Sequence, residues 1–333
     1  MTDSGHPAAR EIVELTDVPG LTGVYGRGAA RSGQLAIGRR FGSRGRSLRP
    51  DALPAVDYLV RDVRGDSAQL TAYQHLLGEP ATDALPAGYV HVVAFPLATA
   101  LMARSDFPLP LVGMVHVANR VEQHGQLVHG AALAISARAE NLRPHRAGVQ
   151  LDLVVEVRRE GRPGTALDGG DGPPAWRGVS TYLARGFHLG SDTLDGSRSS
   201  APARPSGLPT AIWRLAADTG RQYAAVSGDR NPIHLYALTA KPFGFPRAIA
   251  HGMYTASRAL ATVGPARGAT FSWTVDFAKP VLLPGTVTLQ VARDDSGPTR
   301  DTALSSGGFT FAGWNSTTGA THFIGSVVPL ARS

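Results

Sequence analysis

An α+β fold made from two copies of one unit is what the 333-residue sequence predicts, on three observations. Short matched segments recur in the same order in both halves. In each half a long apolar segment precedes runs of alternating apolar and polar residues. A stretch rich in Ser, Gly, Pro and Ala, from Gly190 to Pro209, separates the halves.

The elements follow in order. Tyr73 through Gly78-Glu79 matches Tyr223 through Gly228-Asp229 at an offset of 150. Ala94-Phe95-Pro96-Leu97 lines up with Ala250-His251-Gly252-Met253 at 156, and Val115 to Val121 with Gly125 lines up with Val275 to Val281 with Gly285 at 160. An offset that grows in small steps is what loop insertions produce. The apolar segments Val92 to Met102 and Ile249 to Val263 are long enough for buried helices. Val149, Leu151, Leu153, Val155 and Val157 alternate with polar residues, apart from a lapse at Val154, and Val287, Leu289 and Val291 do the same in the second half. This period of two marks half-buried strands. Turn-forming residues crowd Glu160 to Pro174 and Asp294 to Gly308. The expected division is a first unit over 1–190, a linker over 191–209 and a second unit over 210–333.

Composition narrows the function classes. A hydrophobic fraction of 43% with 18% charged residues fits a globular protein. The absence of cysteine excludes disulfides, thiolate metal sites and cysteine nucleophiles, and fits a reducing compartment. Net charge is +7, carried by 31 arginines and two lysines. Arg27, Arg31, Arg39, Arg40, Arg44, Arg46 and Arg49 form a basic run among glycines and serines, with no interleaved aromatics. It reads as a solvated loop rather than a nucleic-acid footprint. Met1 to Glu14 has no apolar run of the signal-peptide kind. The longest uncharged stretch, between Asp83 and Arg104, is broken by Pro86, Gly88, His91 and Pro96, so it reads as buried core and not as a membrane span. The cytoplasm is the expected home.

Chemistry concentrates in one stretch of the second half. It runs Tyr223-Ala224-Ala225-Val226-Ser227-Gly228-Asp229-Arg230-Asn231-Pro232-Ile233-His234, and then from Gly244-Phe245 to Ala250-His251-Gly252-Met253. Residues five apart do not share a helix face, so a turn at Asn231-Pro232 has to bring the Asp229 carboxylate to the His234 imidazole. Alone, Asp-Arg-Asn-Pro also reads as a plain turn with a helix cap. Together the pair can move protons, and Gly252 at a helix start can offer a backbone N–H to a developing oxyanion, unless it serves only close packing. Nothing like Asn231-Pro232-Ile233-His234 follows Glu79, and opposite Gly252 stands Pro96, which has no N–H. One half is expected to keep the machinery that the other lacks.

These residues, with Phe277-Ala278-Lys279-Pro280-Val281 and Pro284-Gly285 after them, resemble the MaoC-like hydratase/dehydratase family, which includes the R-specific enoyl-CoA hydratases. The resemblance implies a double hot-dog fold, in which each unit wraps a curved antiparallel sheet around a long central helix. It implies one active site at the interface between units, with the degenerate unit widening the acyl pocket. It further implies reversible hydration of trans-2-enoyl thioesters to (R)-3-hydroxyacyl thioesters in fatty-acid metabolism, with Asp229, His234 and Gly252 catalytic. The substrate carrier would be coenzyme A or an acyl carrier protein, and neither metal nor cofactor is needed. Asn231 is expected to brace Asp229 and its loop, and His251 to be a buried, hydrogen-bonded histidine. Lys241 and Arg247 flank the loop where carrier phosphates would lie, unless they are solvated surface. Phe245 and Met253, with Phe243, would line the acyl channel or pack in the core. Two other functions stay open: a non-catalytic acyl-thioester-binding partner subunit and a hot-dog thioesterase. Whether two chains pair is also open.

Overall fold

The computed structural model describes residues 10–26, 46–161, 172–190, 207–294 and 307–330. The basic run from Arg27 to Arg44, most of the 191–209 linker and the middle of both turn clusters lie outside the described residues. Strand β1 (Glu11–Leu15), a helical turn over 21–26 and strand β2 (Arg46–Leu48) come first. The order shared with the second half begins only after them, so the first unit starts near residue 56 and not at residue 1 as the expected division had it. The first unit contains β3 (Val56–Val63), α1 (Ser67–Leu77), α2 (Ala87–Met102), β4 (Val115–Gln123), β5 (Leu133–His145), β6 (Gly148–Arg159) and β7 (Trp176–Arg185). Strand β8 (Phe187–Leu189) follows and pairs with β2. The second unit repeats the order. It has β9 (Ala211–Leu215), α3 (Thr219–Ser227), two one-turn helices α4 (Pro232–Leu235) and α5 (Ala237–Ala240), and α6 (Gly252–Val263). Strands β10 (Phe271–Phe277), β11 (Gly285–Asp294), β12 (Gly308–Trp314) and β13 (Thr321–Pro329) complete it.

Among the described residues, eleven strands form one sheet in the order β1-β3-β5-β6-β7-β4-β10-β13-β12-β11-β9. Counted within each unit, both halves run first, third, fourth, fifth, second. The two second strands, β4 and β10, meet edge to edge and antiparallel, with Val121 opposite Trp273. Helix α2 packs on β5, β6 and β7, while α6 packs on β11 and β13. This is a double hot-dog. Helix α2 is apolar on nearly every side, as a helix wrapped by a sheet must be. In α6 the buried Met253, Ala256, Leu260 and Val263 recur every three or four residues, which sets one stripe against the sheet. Val154 is fully buried like its neighbours on the other face of β6, which accounts for the break in that strand's alternation.

Hydrogen bonding revises the correspondence between the units. Gly78 and Gly228, both left-handed at φ 74° and 73°, cap α1 and α3 in the same way, as the offset of 150 predicts. Beyond them the matching bridges are Ala84 with Val128 and Ile249 with Leu282. These set an offset of 165 at the helix start (249 against 84) and 154 after the helix (282 against 128), in place of 156 and 160. The counterpart of His251-Gly252 is therefore Pro86-Ala87, which begins α2. Pro96 lies inside that helix, so its missing N–H says nothing about the site. The second unit carries about 15 more residues between its capping glycine and its bridge, and those residues hold the Asp229–His234 turn.

Candidate active site

The turn is built by the residues that flank it. Gly228 ends α3 in the left-handed conformation, and a Cβ there would collide with Leu21 Cδ1. Ser227 Oγ donates to the Tyr223 carbonyl (2.8 Å) and accepts from the Asp229 N–H (3.2 Å). Asn231 is the N-cap of α4, Pro232 its first residue, and the His234 N–H returns to the Asn231 carbonyl at 3.0 Å. The Asn231 N–H donates to Asp229 Oδ1 at 3.1 Å, so this residue braces the carboxylate as expected. The donor atoms of Asp229, His234 and His251 lie within 4.8 Å of one another, within reach of one bridging water.

Each imidazole has an assigned orientation. Nδ1 of His234 lies 2.8 Å from the Ile249 carbonyl, which can only accept. The neutral ring therefore carries its proton on Nδ1 and leaves Nε2 as a free base. His251, 2% exposed, places Nε2 3.0 Å from the Asp229 main-chain carbonyl, so Nε2 carries the proton there. Its ring stacks on His234 at 3.7 Å between centroids and meets Tyr223 at 4.9 Å. His251 is thus a buried platform under the pair. With its Nε2 donating to a carbonyl, the His251 lone pair sits on Nδ1, which is buried and has no partner among the described residues.

Burial sets the charges. It lowers the His234 pKa below the ordinary 6.5, against the pull of Asp229. Burial also holds His251 down to about 3, and the neighbouring His234 adds to the effect. Burial pushes the Asp229 carboxyl up, but His251 and His234, the Tyr25 hydroxyl and the Asn231 N–H together bring it below its ordinary value. At neutral pH the pair is therefore an anionic carboxylate beside a neutral imidazole.

Gly252 is the first residue of α6, where the first-turn N–H groups have no intrahelical partner. Added there, a Cβ would meet the Phe277 ring at 2.9–3.1 Å. Gly252, Asp229 and His234 all line one cavity of about 990 Å³ that both units enclose. Asn231, Phe245 and Met253 line it too. Lys241 and Arg247 do not. Both are exposed, and Arg247 donates to the Pro284 carbonyl at 3.1 Å. Phe243 is also off the wall, where it packs against Gly113. In the first unit Glu79, at the position of Asp229, is tied to Arg267 at 2.9 Å with its side chain 1% exposed, which makes it an internal ion pair.

Sequence reasoning missed several cavity groups. His91 on α2, His116 on β4 and Tyr182 on β7 line the wall contributed by the first unit. His116 stacks on Tyr182 at 4.7 Å, and its buried Nε2 has no partner among the described residues. A lone histidine in each of two apolar runs was the only available signal. Tyr25, which donates to Asp229 Oδ1 at 2.6 Å, had none.

Burial lowers His91 to about 4 and His116 to about 3, as it does His251. Unfolded, these imidazoles take up protons near pH 6.5; folded, only near 3–4. The unfolded state therefore binds more protons in this window, and stability falls as pH falls. The expected result is a thermal midpoint that is flat above pH 7 and drops below 6.5, each histidine contributing up to about 1.4 kcal/mol per pH unit. Replacing His116 by Phe, which keeps the ring stack, should flatten that slope.

Comparison with known proteins agrees with this geometry. The MaoC like domain matches residues 201–307. The 3-hydroxyacyl-thioester dehydratase X of Mycobacterium tuberculosis is 37% identical over 251 residues, 75% of this chain and 84% of that protein. The crystal structure of HtdX from the same organism superposes with a TM-score of 0.66 at 32% identity, covering 82% of this chain and all of that one. A MaoC-like dehydratase from Phytophthora capsici shares the fold, with a TM-score of 0.61 at 19% identity over 85% of this chain and 98% of that one. With a duplicated hot-dog, a carboxylate–imidazole turn in its second half and a relative this similar over most of its length, the chain belongs to the MaoC-like dehydratase family.

Proposed function

We propose that the chain catalyses the reversible hydration of trans-2-enoyl thioesters to (R)-3-hydroxyacyl thioesters. The observation that carries this reading is a carboxylate and the His234 imidazole, whose ligand atoms lie within 4.8 Å of each other, in a cavity that also contains the start of α6. The 3-hydroxyacyl-thioester dehydratase activity for which the M. tuberculosis relative is named supports it. In the hydration direction Asp229 and His234 hold the water. As its oxygen bonds to the β-carbon, Nε2 takes one proton, and the pair delivers a proton to the α-carbon. The Gly252 N–H donates to the thioester oxygen, where negative charge gathers during attack. With crotonyl-CoA, loss of enoyl absorbance without free thiol is the expected result. Thiol release would instead mean a thioesterase, and saturable binding without turnover would mean a binding subunit. A reducing compartment, the cytoplasm, fits a chain without cysteine.

The carrier end is proposed at the exposed part of the cavity wall. Arg146, in the two-residue turn between β5 and β6, Arg185 at the end of β7 and Lys279 after β10 are exposed and line the cavity. No ion pair to these three is found among the described residues. Gly148, at φ 157°, lets the hairpin press against β7, where a Cβ would collide with the Ala184 carbonyl. Phosphates of coenzyme A or phosphopantetheine fit this basic rim, whereas Lys241 and Arg247 lie off the cavity. Removing Arg146 and Arg185 together should raise KM for a coenzyme A thioester on the order of tenfold, since an exposed ion pair contributes up to about 1 kcal/mol. KM for an N-acetylcysteamine thioester, which has no phosphate, should not change.

A further inference from the structure

Asp229 Oδ1 receives hydrogen bonds from two directions. The Asn231 N–H comes from its own turn, and the Tyr25 hydroxyl from 204 residues away at 2.6 Å. Tyr25 belongs to neither hot-dog unit. Its segment is seated at both ends: β1 adds in parallel to the edge strand β3, Val24 is fully buried in the core, and Leu21 lies against Gly228 at the head of the catalytic turn. The helical turn over 21–26 thus delivers one phenol to one carboxylate oxygen. With Oδ1 occupied by two donors, Oδ2 is the oxygen left to meet water; its neighbour, His251 Nε2 at 3.7 Å, already donates to a carbonyl. Other titratable groups face Asp229 from every side: His234 on α4, His251 ahead of α6, Tyr223 on α3, Tyr182 on β7, His91 on α2 and His116 on β4. Burial raises the pKa of the Tyr25 hydroxyl far above its usual value, so it stays a donor.

We infer that Tyr25 is a positioning residue of this site, whose hydroxyl fixes the Asp229 carboxylate so that one oxygen is anchored and the other is presented to the reacting water. The inference rests on the proposed role of Asp229, and the test separates the two. Tyr25→Phe removes the hydroxyl and keeps the ring. A hydrogen bond to a charged group is worth roughly 10- to 100-fold in an equilibrium or rate, so kcat on crotonyl-CoA should fall by that range with KM little changed. Removing a donor to the carboxylate makes the coupled carboxylate–imidazole pair hold its proton more tightly. The acid limb of the kcat profile should therefore move to higher pH, while the thermal midpoint stays within a degree or two of wild type. A purely structural tyrosine would lower the midpoint and leave the limb in place. An acid limb that does not move overturns the inference, whatever happens to kcat. Asp229→Asn run alongside should lose about 10²- to 10⁴-fold in kcat; if it keeps wild-type turnover, the role of Asp229 itself falls, independently of Tyr25.

Discussion

Asp229→Asn and His234→Ala should each lower kcat for enoyl-CoA hydration by about 10²- to 10⁴-fold, the usual worth of a positioned acid or base, while the protein stays folded. The asparagine is isosteric and still fills the space between Tyr25 and Asn231. What it loses is the negative charge that holds water and pairs with imidazolium as the proton arrives. His234 leaves a cavity-lining gap, but its ring packs on His251 rather than in the main apolar core, so the fold should persist. Combining both substitutions should cost little more than either alone, because the two groups act on one water as a unit. Steady-state rates on crotonyl-CoA with thermal unfolding of the same samples check this. Wild-type turnover in either variant would remove the hydratase mechanism.

Gly252→Ala should be nearly as damaging, on the order of 10²-fold in kcat/KM, the scale of losing one oxyanion donor. The N–H remains, but the new methyl meets the Phe277 ring at 2.9–3.1 Å and stands where the thioester must approach the backbone. Stability should change little, because alanine is the better helix former by about 1 kcal/mol and offsets part of the clash. Glycine needed only for packing would give the opposite pattern, with a lowered midpoint and retained turnover. Measuring kcat/KM and the unfolding midpoint on one preparation separates the two.

Much of the fold was legible because its signals are local. The apolar run that becomes α2, the stripe of α6 and the alternation in β6 and β11 each depend on neighbours a few residues away. The Asp229–His234 turn was legible for the same reason. Gly228 needs a left-handed backbone, Asn231 caps and Pro232 starts a helix, and these demands bring Asp229 and His234 together. The register between units was misread at Phe95-Pro96, since two apolar helices can be matched at several offsets by sequence and only the Ala84 and Ile249 bridges select one. Lys241 and Arg247 were placed by nearness in sequence to the helix start, but the loop carries both to the exterior.

By itself the sequence determined the duplicated α+β plan, the half that carries the carboxylate–imidazole turn and the two side chains of that turn, because hydrophobic period and turn geometry act over a few residues. Only the tertiary structure decided what surrounds them. The seam between β4 and β10 brings His91, His116 and Tyr182 of the first unit to the cavity, the β5–β6 hairpin carries Arg146 to its rim, and a segment outside both units lays Tyr25 on Asp229. Such contacts join residues up to 204 positions apart, where no periodicity in the chain connects them and only packing of the assembled core sets their distance.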